Sequence, residues 1–189
     1  MFLALSTAFR TTNARRWFRP AFMLAIAVGI GITMKAQGSD PNAKQPKHVI
    51  GATAALTEVS SGISFPARVD TGAATCSLHV EKLEIQDKTA KRVHNVGKTA
   101  RFLLRDKDGK TKWAEAIIAA AVRVKSSSLR SGEYDHRYKV RLTLQWKDFR
   151  KEVLVTLNDR TDMDYPLLIG RNFLAGDFLV DVTQNDDQG

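Results

Sequence analysis

The spacing of apolar residues after about residue 48 is the feature that most limits the fold of this chain. Residues 138–146 alternate strictly, with Tyr138, Val140, Leu142, Leu144 and Trp146 on one side and polar residues between them. A period of two places such residues on one face of a β-strand. The other apolar residues come in short groups separated by turn signals, a pattern typical of an all-β barrel or sandwich.

Seven segments fit this description, and two turns between them are readable. Residues 60–62 (Ser-Ser-Gly) separate the first pair of strands, and the Asp-Gly step in residues 106–110 indicates a hairpin. Residues 126–135 are polar and contain glycine, so they are predicted to form an exposed loop. The predicted strands are residues 49–59, 63–69, 77–85, 100–104, 113–121, 138–145 and 152–157.

The first 36 residues form a segment of a different kind. They contain four arginines and Lys35 but no acidic residue, and an uncharged apolar run extends from Pro20 to Met34. This arrangement predicts an N-terminal membrane-targeting helix, either a signal peptide or an uncleaved single-pass anchor. The arginines precede the apolar run, so the rest of the chain is expected to be exported to the periplasmic side of the inner membrane.

The remainder of the chain divides into three parts. Residues 37–47 are polar, contain two prolines and are predicted to be a linker. Residues 48–183 are the predicted folded domain, and residues 184–189 are a predicted polar tail. Five of the 29 basic residues lie in the leader, which leaves 24 basic against 20 acidic residues elsewhere. This small excess, without a stacking or recognition-helix pattern, does not predict nucleic-acid binding.

Asp70 begins the run Asp70-Thr71-Gly72-Ala73, which lies between two predicted strands. Taken alone, such a triplet is often an ordinary Asx turn. A second element, residues 165–174, places Leu168 and Ile169 before Gly170 and continues as Arg-Asn. Residues 176–182 (Gly-Asp-Phe-Leu-Val-Asp-Val) follow it. The order of these three elements is the main clue to function.

These elements together resemble a bacterial retropepsin-like aspartic peptidase family, often labelled ATP-dependent zinc proteases, over about residues 47–183. The resemblance implies an all-β, retropepsin-like closed barrel with one short C-terminal helix. It also implies that Asp70 is the catalytic residue, that Thr71, Gly72 and Ala73 complete its turn, and that Leu168, Ile169 and Gly170 support that turn. Retroviral relatives commonly have another Asp after the Ala, where this chain has Ala74, so Arg171 either has a different partner or faces solvent.

The implied reaction is hydrolysis of peptide bonds by a water held between two carboxylates that share one proton. This chain has one Asp-Thr-Gly turn, so the resemblance implies a homodimer in which Asp70 meets its mate on a twofold axis. The substrate would be an extended peptide or protein segment, held under a flap formed by residues 113–125 or by the loop 126–135.

No cofactor or metal is expected from the sequence. It has no Gly-x-x-x-x-Gly-Lys-Ser/Thr loop for ATP and no His-Glu-x-x-His pair for zinc, and His79, His94 and His136 lack metal-ligand spacing. Cys76 is the only cysteine and is interpreted as a buried apolar residue. Two alternatives to a peptidase stay open: a non-catalytic module of the same fold that binds peptides or proteins, and a basic structural protein near the membrane.

Overall fold

A computed structural model describes residues 46–124 and 134–186 of the 189-residue chain, all within one compact unit formed by residues 43–189. The described residues form ten strands, one short α-helix and a 3-10 turn at Arg92–Asn95. In chain order the elements are β1 His48–Glu58, β2 Ile63–Val69, β3 Cys76–His79, β4 Lys82–Ile85, β5 Thr99–Arg105, β6 Thr111–Val124, β7 Asp135–Trp146, β8 Phe149–Asn158, β9 Leu167–Ile169, α1 Arg171–Leu174 and β10 Phe178–Asp186.

Six of these strands close into a barrel. The pairing runs β1, β2, β9, β3, β8 and β7, and the end of β1 then pairs with β7 through Thr57 and Glu58. The three-residue strand β9 lies between β2 and β3, which are consecutive in the chain. The connection from β2 to β3 therefore has to pass over the end of β9, and this connection contains Asp70.

Four strands extend the sheet beyond the barrel. β10 pairs in parallel with the first half of β1, and the hairpins of β6 with β5 and of β5 with β4 continue from β7. β6 and β7 pair as far as Val124 and Asp135, so these two strands form the arms of one hairpin. The predicted all-β barrel with one short helix is confirmed.

The core is the inside of the barrel. The alternating residues of β7 that were predicted to face the core, Tyr138 to Trp146, are all buried. The core also includes Cys76 at the start of β3, whose thiol is fully buried. Burial raises the pKa of this thiol to about 11, although the nearby Gly170 amide partly opposes the rise. Cys76 is therefore a protonated core residue at neutral pH, as its sequence context indicated.

The turn predictions hold, and one predicted strand is wrong. Asp106 N donates to Lys110 O at 2.9 Å, and Gly109 has a φ of 83°, which closes the expected hairpin. Residues 77–85 form two strands, because the chain leaves the barrel at Val80 and Glu81. The Val80 amide bonds to β8, whereas the Glu81 amide bonds to Leu103 O of β5 at 2.9 Å.

The predictions for the two ends of the chain have different outcomes. β10 continues to Asp186, past the predicted domain end at 183, because its last residues pair with Thr53 and Ala54. The predicted targeting helix in residues 1–36 and most of the linker lie outside the described residues. Within residues 46–124 and 134–186, no helix is both long and apolar enough to span a membrane.

Gly51 provides a test of the junction between β1 and β10. A Cβ at this position would lie 2.4 Å from the Gln184 carbonyl oxygen, so the backbone of β10 would have to move. We expect Gly51→Ala to lower the free energy of unfolding by roughly 1–3 kcal/mol, measured by urea denaturation. Val49→Ala, at an exposed position that pairs with the same strand, should change it by much less. Equal stability of both variants would contradict this packing.

Cys76 provides a pH-dependent test of core burial. The pKa of its thiol is about 11 in the folded protein and 9.0 when exposed, so ionisation favours the unfolded state as the pH rises from 9 to 11. The stability is complete below pH 9 and is lost through that window. We expect the wild type to lose roughly 2–3 kcal/mol more than Cys76→Ala over this range, measured by denaturation at each pH. Parallel pH profiles would refute the buried thiol.

Candidate active site

The turn after β2 holds the Asp70 carboxylate in a fixed position. Asp70 Oδ1 accepts hydrogen bonds from the Gly72 amide at 2.8 Å and the Ala73 amide at 3.1 Å, and the Asp70 amide donates to Ile169 O at 2.9 Å. The hydrogen bonds that the described residues give to this carboxylate are all on Oδ1. The other oxygen, Oδ2, is therefore available for a water or a substrate group.

The end of β9 supports this turn through Gly170. A Cβ at Gly170 would lie 2.6 Å from the Thr75 carbonyl carbon and 3.0 Å from Ala73 O, so only glycine lets the two backbones come this close. The Arg171 amide then donates to Ala73 O at 2.8 Å. Leu168 and Ile169 pair with Arg68 and Val69, directly before Asp70. All the site residues named from the sequence thus lie together.

Of the two outcomes expected for Arg171, the structure shows a different partner. Its Nη1 donates to the carbonyl oxygens of Thr71 at 3.0 Å and Gly72 at 2.7 Å. Among the described residues, the guanidinium therefore binds the backbone of the Asp70 turn and not a carboxylate. Thr71 and Gly72 themselves are exposed, so the outer edge of the turn faces away from the barrel.

Asn172 connects the helix to the floor of the site. Its side-chain oxygen accepts from the Cys76 amide at 3.0 Å and from the Cys76 thiol at 3.3 Å, and its amide nitrogen donates to Leu154 O at 2.8 Å. One side chain in α1 thereby joins β3 and β8 below the turn. Gly170, Arg171 and Asn172, which follow β9 in the chain, thus hold the Asp70 turn and the adjoining start of β3 in place.

A cleft of about 440 Å³ opens beside the turn. Its inner side consists of residues 73–75 with Ser77, Thr156 and Leu168, and its outer side consists of residues 122–124 of β6 with the start of β7. The β6–β7 hairpin therefore lies across the cleft from residues 73–75, which follow Asp70 in the turn. The connection between these strands, residues 125–133, which includes most of the loop considered as a flap, lies outside the described residues.

The cleft has a strongly positive lining. Among residues 46–124 and 134–186, the cleft is lined by the cations Arg123, Arg137, Lys139 and Arg160 and by no acidic residue. Arg137 forms an ion pair with Asp135 at 2.6 Å, which compensates its charge. The side chain of Lys139 has no ion pair or hydrogen bond within the described part of the chain.

Arg160 is a cation of the cleft whose charge interacts with that of Asp70. Burial and then the Arg137 charge lower its pKa, whereas the negative charge of Asp70 opposes that change. Its Nε donates to Tyr165 O at 3.0 Å, and its amide donates to His79 Nδ1 at 2.9 Å. His79 is thus a positioning group for this loop. Among residues 46–124 and 134–186, no group of three or more His, Cys, Asp or Glu side chains is placed to hold a metal.

Sequence reasoning did not find these cations. The alternation in residues 138–146 placed Lys139 on the polar face of its strand, but a polar face is usually simply solvated. Arg160 lies in a loop without periodicity, so the sequence carries no signal that it approaches Asp70. Only the pairing of β7 with β8, and of β8 with β3, brings these residues to the cleft beside the turn.

Comparison with solved structures and curated proteins identifies relatives. A Legionella pneumophila protein of unknown function, known from its crystal structure, superposes with a TM-score of 0.59 at 22% identity, over 75% of this chain and 98% of that one. Two proteins named probable alpha-L-glutamate ligase, from Shewanella halifaxensis and Shewanella pealeana, are each 28% identical over 145 residues. The match covers 74% of this chain but 29% of each of those proteins.

A family described as retropepsin-like aspartic endopeptidase RimB matches residues 49–188. This range contains the Asp70 turn, the strand that supports it, the Gly-Arg-Asn run and the cleft. The structural likeness to the Legionella protein concerns the fold alone, whereas the family match includes most of the chain. The chain therefore belongs to the RimB-like family of retropepsin-like aspartic endopeptidases.

Proposed function

We propose that this protein is an aspartic-type endopeptidase that hydrolyses peptide bonds at a dyad of Asp70 residues from two subunits. The observation that carries the proposal is the fixed carboxylate: two backbone amides hold Oδ1, and Oδ2 is left for water. In such a dyad one carboxylate is ionised and removes a proton from the water, while the other is protonated and polarises the scissile carbonyl. Neither step requires a metal or ATP.

The second carboxylate comes from another copy of the chain in this proposal. The exposed edge of the turn, formed by Thr71 and Gly72, supports a contact around a twofold axis at this point. Thr71 would hydrogen-bond across that contact beside the dyad. Arg171 binds the turn from within its own subunit, so the mate is free to approach the opposite side.

We further propose that the substrate is an acidic peptide in an extended conformation. The described lining of the cleft beside the Asp70 turn contains four cations and no carboxylate, so a negatively charged peptide segment would form ion pairs there in place of its hydration. The β6–β7 hairpin provides the arms of a flap that would cover this segment.

The names of the curated relatives refer to glutamate, which agrees with an acidic substrate. The chain spans 29% of the probable alpha-L-glutamate ligases, so we do not extend ligase activity to it. A region similar to this chain nevertheless occurs within proteins that are named as glutamate ligases. We therefore propose glutamate-rich peptides as the first substrates to test. A non-catalytic role would be favoured over this proposal if such peptides bind but stay intact.

The proposed place of action is the periplasmic side of the inner membrane. Its support is the acid-free leader with arginines before an apolar run, which would export the domain whether or not it is cleaved. Protease added to cells with a permeabilised outer membrane should degrade the domain. Protection from that protease, with degradation only after the inner membrane is lysed, would place the domain in the cytoplasm.

Asp70→Asn tests the shared dyad. Purified variant protein should cleave no peptide above background, because an amide cannot act as the general base. When a fixed amount of wild type is mixed with an equal amount of the variant and allowed to exchange, its activity should fall to about half, since mixed dimers are inactive. Cleavage of a fluorogenic glutamate-rich peptide provides the measurement.

Asp108→Asn, in the β5–β6 turn away from the cleft, is the matched control and should leave the mixture fully active. Unchanged wild-type activity after exchange with Asp70→Asn would mean that one subunit is sufficient. Equal cleavage by Asp70→Asn and wild type would remove the aspartic mechanism altogether.

Substrate charge gives a second test of this function. We expect KM for a glutamate-rich peptide to be at least severalfold lower than for its glutamine counterpart at low salt, and the difference to shrink near about 0.5 M salt, where charges are screened. Lys139→Gln should weaken the preference, whereas Lys107→Gln, in the exposed β5–β6 turn, should not. A preference for the glutamine peptide would contradict an acidic substrate.

A further inference from the structure

Ser77 is an unexplained polar group at the inner wall of the cleft. It is 7% exposed, and its hydroxyl oxygen is the buried side-chain atom for which the described residues offer no hydrogen-bond partner. A buried donor without a partner destabilises the folded protein. Such a group calls for an explanation, and Ser77 lines the cleft in which the proposed substrate would lie.

Strand register places Ser77 in a row of side chains on one face of the sheet. Ser77 pairs with Leu168 of β9 on one side and with Thr156 of β8 on the other, and Thr156 pairs with Lys139 of β7. Directly paired residues point to the same face. All four line the cleft, whereas Cys76 and Leu78, on the opposite face of β3, are buried in the barrel.

The distances across this row suit a carboxylate. Neighbouring strands are about 4.8 Å apart, so the backbones of Ser77 and Lys139 are separated by roughly 10 Å. The flexible four-carbon stem of lysine spans much of that gap. One oxygen of a carboxylate can then accept from the serine hydroxyl while the other pairs with the lysine ammonium, a charge-assisted arrangement.

The charges around Lys139 leave it available for this role. Arg137, two residues earlier on the same face, is paired with Asp135, and Arg160 is bonded to the Tyr165 carbonyl and lies near Asp70. Lys139 has no such partner in the described residues. A ligand carboxylate would supply the partner that both Ser77 and Lys139 lack.

We infer that Ser77 and Lys139 form a carboxylate subsite that binds one glutamyl side chain of the substrate. This inference rests on the proposed peptidase function and deepens it, because it assigns the acidic preference to one subsite. The lysine selects negative charge, and the buried hydroxyl fixes the position of the carboxylate. Ser77 and Lys139 are thus specificity-determining residues and take no part in proton transfer at Asp70.

The test uses the full chain and a set of alanine-rich peptides that carry one Glu, or one Gln, at each position in turn. Wild type should show a marked Glu preference at one position. Ser77→Ala should raise KM for that Glu peptide by about tenfold with little change in kcat, and leave the Gln peptide unaffected. Lys139→Gln should act likewise, Lys139→Arg should restore most of the preference, and the double variant should be less than additive.

A matched control and a binding assay make the result decisive. Ser64→Ala removes an exposed hydroxyl outside the cleft and should change neither peptide. Peptide affinity is also measured by fluorescence anisotropy in the Asp70→Asn background, where Ser77→Ala should weaken only the Glu peptide. If Ser77→Ala merely lowers stability and the Glu preference persists, the subsite is wrong. If Ser77→Ala selectively weakens binding of the Glu peptide but wild type never cleaves it, the subsite stands and the peptidase proposal fails.

Discussion

The close approach of Gly170 to the backbone of Thr75 is the contact on which the site depends. β9 is three residues long and lies between two strands that follow each other in the chain, so the connection between those strands must cross its end. A Cβ at position 170 would overlap that connection. Without this approach, Arg171 and Asn172 could not reach the turn and the start of β3, and the carboxylate of Asp70 would lose its fixed surroundings.

The site combines a rigid turn, which carries Asp70, with a positively charged cleft. The turn is held by backbone hydrogen bonds, which keep their geometry whatever the ionic strength. The cleft beside it gains its character from long cationic side chains on β6, β7 and the loop after β8. These two parts would divide the tasks of the proposed hydrolase, because the first would position the reacting group and the second would select the substrate.

The sequence predicted local structure correctly where a residue pair or a residue spacing is typical of one kind of structure. The Asp-Gly hairpin at 106–110 and the buried side of residues 138–146 followed from turn chemistry and from the period of two. Residues 77–85 could not be divided correctly, because apolar residues continue through the point where the chain changes partners. The role of Arg160 depends on which loop lies beside Asp70, and that is set by strand order, which no local pattern contains.

The bonds from Arg171 to the Thr71 and Gly72 carbonyls have a consequence for assembly. In the proposed dimer, each subunit would shape its own turn before it meets its mate, so little conformational entropy would remain to be lost at the contact. Association can then be weak and reversible without any loss of precision in the paired carboxylates. The concentration of subunits, and not a slow folding step, would set how much active enzyme a cell contains, and confinement to a membrane surface would raise that fraction.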